Sequence, residues 1–191
     1  MDELLQDKNA AVMRSSGGVP ALRELYEDAK IGKNKHFSAG DRHLRYHFLV
    51  GVPLVLLNVG IGSMLVKLAD WPASGWVKQS VAVAAFIAAC LGAVQTLFNF
   101  NKSAEGHRGI ANRYLRISRR CKHLFLQNRD LPLVPEELWR NIGRLRKAYE
   151  RVNEDAEAFP TRAADLTNAL RAESITPCNL PEISEDPVIT S

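Results

Sequence analysis

Between Phe48 and Phe100 the chain carries two long apolar runs separated by a short polar break. The first, Phe48 to Val66, is FLVGVPLVLLNVGIGSMLV, and Asn58 and Ser63 are its only polar side chains. The second, Val81 to Phe100, is VAVAAFIAACLGAVQTLFNF and holds no charge. A bilayer core demands about twenty apolar residues, roughly 30 Å of helix, and each run supplies that length. A surface helix of a soluble protein would place charges along one face, and neither run has such a face. These features predict an all-α chain built on a two-transmembrane helical hairpin, 48–66 and 81–100. The competing possibility is a pair of buried core helices in a soluble α-protein.

The flanks favour the membrane. Lys30, Lys33, Lys35, Arg42 and Arg45 precede the first run, with Asp41 the one acid among them. Lys102, Arg108, Arg113, Arg116, Arg119, Arg120 and Lys122 follow the second, with Glu105 the one acid. The connecting loop, Lys67 to Ser80, carries only Lys67 and Lys78 as cations. Short segments rich in Lys and Arg stay in the cytoplasm, so both termini are expected there and the loop outside. Trp71 and Trp76 in that loop are amphipathic rings suited to the headgroup level, and Pro72 between them suits a tight turn.

Composition alone would hide this, because the remaining sequence is strongly polar. The formal net charge of +4 does not point to nucleic acid. Its excess lies in the two juxtamembrane belts, where Lys and Arg meet anionic lipid. Cys90, Cys121 and Cys178 are widely spaced and form neither a disulfide framework nor a metal motif. The N-terminal stretch, MDELLQDKNAAVMRSSGG, is acidic and has no apolar core. It is not expected to act as a signal peptide, and the first membrane helix is expected to direct insertion.

Four segments are expected: cytoplasmic N-terminal helices over 1–47, the membrane hairpin over 48–100, a cytoplasmic antiparallel helix pair over 101–159, and a flexible tail over 160–191. Met1 to Gly18 are expected to be loose. Val19 to Ile31 fits a short amphipathic helix, with Pro20 in its first turn and Leu22, Leu25, Tyr26 and Ala29 on one face. Gly32 and the following KNKH are expected to break it, and Ser38 to cap the next helix. Pro53 removes a backbone donor and should kink the first membrane helix. In the second, Ala84, Ala88 and Gly92 form a small-residue row of the kind that marks helix packing in lipid. No helix breaker occurs between Asn101 and Asp130, so the second membrane helix is expected to run on into the cytoplasm. There Ala104, His107, Ala111, Tyr114, Ser118, Cys121 and Phe125 alternate three and four apart, a heptad seam widened by Ile110, Ile117 and Leu124. After the DLPLVP loop, Pro135 opens a helix with Glu136 and Glu137 in its first turn. Its seam is Leu138, Ile142, Leu145, Tyr149, Val152, Ala156 and Phe159, and Pro160 ends it. Thr161 to Glu173 has room for one more short helix, and the Pro-rich stretch from Ser174 fits a tail that is disordered or docks on a partner.

No catalytic motif is present: there is no phosphate-binding Gly loop, no GxSxG and no HExxH. The chain is not expected to be an enzyme or to carry a cofactor or metal. His43 and His47 stand four apart and could pair on a metal, but among Arg42, Arg45 and Tyr46 they fit interfacial histidines better. The intramembrane polar side chains Asn58, Gln95, Thr96 and Asn99 carry more weight, since an unpaired amide in lipid is costly. In a hairpin Asn58 should face the level of Cys90 and Leu91, well away from Gln95. Each amide therefore bonds locally to backbone, or several copies bring the amides together around an axis. Two helices cannot enclose a conduit alone, so any pore must be multimeric.

The layout resembles the SLATT family, bacterial two-transmembrane effectors associated with nucleotide-signalling and other conflict systems. The likeness lies in the basic helix entering the hairpin and in FNFNKSAEGHRGIANRYLRISRR, chiefly the spacing of Ala104, His107, Ala111 and Tyr114, and it covers roughly Arg42 to Phe159. The resemblance implies an effector of the bacterial inner membrane that oligomerises into a pore in antiviral defence, with abortive infection as its outcome. A separate sensor protein or a small nucleotide signal would trigger it. The alternative is a non-conducting anchor that presents the coiled-coil arm to a cytoplasmic partner.

Overall fold

A computed structural model describes the backbone of residues 2–70 and 74–175, with side chains over 17–67 and 74–172. Among the described residues the chain forms α1 (Asp2–Asp70), α2 (Gly75–Phe98), α3 (Phe100–Asp130), α4 (Pro135–Ala156) and α5 (Ala163–Ile175), with no strand. The protein is therefore all-α, with two long apolar helices. The expected helices at the N-terminus and the first apolar run are one element, α1. The residues from Thr176 onward lie outside the described part, as do Trp71 and Pro72 in the loop.

Contacts divide the chain into two units. One comprises the residues up to Ser38 and those from Gly109; the other is Ala39–Arg108. In the first unit, Gly18, Leu22, Leu25, Ala29, Gly32 and His36 are all buried and alternate four and three apart along α1. That seam explains why α1 passes through Gly32 instead of stopping there. Helices in proteins are held chiefly by packing of one face, which outweighs a glycine's cost of about 1 kcal/mol. A Cβ at Gly32 would stand 3.1 Å from the Tyr114 ring, and one at Gly18 would stand 2.8 Å from Leu138 Cδ2. The glycines are sites of close approach, not breaks.

The buried cluster of this unit joins Leu22, Leu25 and Ala29 of α1 to Ile110, Tyr114, Ile117, Cys121, Leu124 and Phe125 of α3 and to Leu138, Ile142, Leu145 and Val152 of α4. Between α3 and α4, Tyr114 and Tyr149 rings lie 5.7 Å apart, the Tyr114 hydroxyl donates to Asn153, and Arg113 pairs with Asp155. Leu133 N–H donates to Asn128 Oδ1 at 3.1 Å, which ties down the intervening loop. Pro135, Glu136 and Glu137 occupy the first turn of α4. The helix ends at Ala156, before Pro160 is reached. In α5, Asp165 accepts from the Arg162 N–H at 2.9 Å and from the Ser38 hydroxyl at 3.4 Å. Ser38 is thus an interior residue of α1 that meets α5, and it caps nothing.

Within the second unit, the break after α2 is local. Asn99 adopts φ 38° and ψ 52°, and its N–H bonds to the Gln95 carbonyl at 3.2 Å. Asn is among the few non-glycine residues that take this left-handed conformation readily. The expected continuous passage from the second apolar run into the next helix is therefore interrupted at Asn99, and α3 begins at Phe100.

Candidate membrane-facing site

In α1 the most apolar eighteen-residue window has none of its residues buried, and in the α2–α3 stretch only 6% are. Phe48, Leu49, Val55, Leu56, Val59, Leu65, Phe86, Leu97 and Phe98 are all exposed, several by more than 60%. A soluble core helix is buried by its own chain, and these are not. Their apolar area faces a surrounding the chain does not supply. Both helices are long and apolar enough to cross a membrane.

The polar residues of the runs are distributed unevenly. Asn58 is exposed on α1, and its side chain makes no hydrogen bond to a described residue. Gln95 is half-buried on α2 and lies over Gly51, its Nε2 3.3 Å from where a Cβ would stand. Thr96 is exposed and donates to the Gly92 carbonyl at 2.9 Å, a local solution to its hydrogen-bonding need. Ser63 does the same with Val59 at 2.8 Å. Asn99 spends its backbone on the left-handed break and leaves its amide exposed. The structure does not bring Asn58, Gln95, Thr96 and Asn99 into one cluster within a single chain. Of the small-residue row, Ala88 is buried, a Cβ at Gly92 would stand 3.9 Å from Leu54 Cδ2, and Ala84 borders an apolar crevice of about 560 Å³ with Pro53, Leu57, Gly60 and Ile61.

Ala104, His107, Ala111 and Tyr114 are all buried in α3. His107 stacks on His43 with ring centroids 5.3 Å apart, and His43 also meets Phe100 and Tyr46. Gly40 lets α3 approach here, because a Cβ would sit 3.3 Å from the Ala104 carbonyl oxygen. Arg108 bonds Asp41 at 2.9 Å on the rim. His47 instead packs its ring on Phe48, so the pairing of His43 is with His107 across helices and not with His47 along one. No group of three metal-ligating side chains occurs among the described residues.

Tyr114 stands between His36, 5.8 Å away by ring centroid, and Tyr149. Burial, and then the neighbouring Tyr149, push its phenol up to about 12. Burial also pushes the Cys121 thiol up to about 12 and raises Tyr149. These are packed, inert groups with no nucleophile among them. His36 was not legible as a core residue, since it lies in the lysine-rich run that follows Gly32. Its place at the four-three spacing from Ala29 and Gly32 was the available signal.

Comparison with protein-family models, with curated proteins and with solved structures found no match to this chain.

Proposed function

We propose that several copies of this chain assemble in a bacterial inner membrane, with both termini cytoplasmic, and that the assembly conducts ions and depolarises the membrane as an antiviral effector. One observation carries the proposal: both long helices expose their apolar faces, and Asn58 and Gln95 on those helices make no side-chain hydrogen bond to a described residue. In lipid such amides seek partners, and further copies can supply them or enclose water beside them. Gly51 with Gln95 and Leu54 with Gly92 are contact pairs that fit an antiparallel hairpin, which sets Asn58 level with Ala88. Tyr114 with Tyr149 and Asn128 with Leu133 likewise fit an antiparallel pair of α3 and α4. The seam motif Ala104, His107, Ala111 and Tyr114 supports the likeness to SLATT effectors, whose trigger would be a sensor protein or a nucleotide signal.

Replacing Asn58 and Gln95 together with Leu tests conduction. The double variant is expected to insert normally and to lose depolarisation, read with a voltage-sensitive dye in cells made toxic by the wild type. Full toxicity with an intact potential in the wild type would overturn the pore and favour a non-conducting anchor.

A further inference from the structure

The outward face of α3 and the groove between α1 and α4 carry opposite charge. From Gly106 to Arg129 the chain holds no acid. Arg116, Arg119, Arg120 and Lys122 are exposed in that stretch and form no ion pair with a described residue. Across the same unit, α1 and α4 border a groove of about 180 Å³ with Glu24, Asp28 and Glu150 on its rim, Arg146 as its one cation, and Leu25, Ile142 and part of Trp139 along it. The acids there are crowded: burial, then Glu24, raise the Asp28 carboxyl, against the opposing pull of Arg146.

The two faces are also level. Gly18 lies beside Leu138, and Tyr114 beside Tyr149. Gly18 beside Leu138 and Asp28 beside Tyr149 along one groove make α1 and α4 parallel. With α3 antiparallel to α4 as proposed above, equal rise from the contact of Gly32 with Tyr114 sets Asp28 level with Ser118 and Glu24 level with Lys122, within one turn of Arg116, Arg119 and Arg120. Head-to-tail contacts that close into a ring must join faces at one height along the axis.

We infer that the Arg116, Arg119 and Arg120 face of one copy docks on the Glu24, Asp28 and Glu150 groove of the next, building the oligomer through a heterologous cytoplasmic interface. This rests on the oligomer proposed above. Complementary charges of this kind fix register and exclude wrong pairings. The matching rows occupy exposed positions, so their reversal leaves the buried cluster intact.

The test uses the full chain in detergent, with particle mass as the readout. R116E/R119E/R120E and E24K/D28K/E150K should each weaken self-association about tenfold, and mixing the two variants should restore it, because each then offers a face the other accepts. Raised salt should dissociate the wild type by screening, which needs no variant. An oligomer indifferent to both reversals and to salt would overturn this interface while leaving the oligomer itself standing. A wild type that is monomeric throughout would overturn the oligomer and this interface together.

Discussion

Tyr114 is confined by Gly32 on α1, by the Tyr149 ring, and by its hydroxyl bond to Asn153. It has nowhere to retreat. Gly32→Val is therefore expected to destabilise the protein by about 1–2 kcal/mol despite valine's better helix propensity, as overpacking commonly does. A thermal melt in detergent checks this, and an unchanged or raised midpoint would contradict it. Buried Cys121 gives a second prediction. Its thiol ordinarily titrates near 9.0 and is pushed up to about 12 in the fold. The folded state thus holds a proton that the unfolded state has released. That contribution is complete below pH 9 and is lost as pH rises towards 12. Cys121→Val removes the titration, so its denaturant midpoint should fall less than the wild type's over that window. Equal slopes would contradict the assignment. Cys121 and Tyr114 were legible in the sequence because they lie on an unbroken three-four spacing. Gly18, Gly32 and His36 occupy the same kind of seam on α1, but glycine carries no apolar signal and is ordinarily a helix stop.

At the level of elements, local and tertiary preferences part company at two places. In α1, tertiary packing overrides the glycines and the Ser38 cap signal, and separate expected helices become one. At Asn99 the reverse happens: an apolar run with no proline or glycine nearby still breaks, since one asparagine accepts φ 38°. The break lies beyond periodicity, which sees only which residues face inward. Asn99→Gly should keep the break and be tolerated, while Asn99→Val should cost about 1–2 kcal/mol or straighten the junction. Melts of the two variants decide it, and equal stability would show that the left-handed turn is not required. Asn99→Gly also removes the amide without disturbing the backbone, so its effect on depolarisation isolates the side chain's part in any conduit.

For the whole molecule, what was legible was the solvent the helices expect. Two runs without a polar face were enough to predict two exposed apolar helices, and exposure of Phe86, Leu97, Leu49 and Leu56 fits that expectation. How copies would meet in the proposed assembly was not legible, because charges that would face a neighbouring copy look in one sequence like ordinary solvated charges. The division at Ser38 and Gly109 was likewise hidden, because it falls inside α1 and α3, where the helical pattern continues unbroken. Membrane integration underlies the proposed assembly and conduction, and alkaline carbonate extraction of cell membranes measures it most directly. The chain should remain in the membrane pellet and leave it only with detergent; its release into the carbonate supernatant would contradict the account.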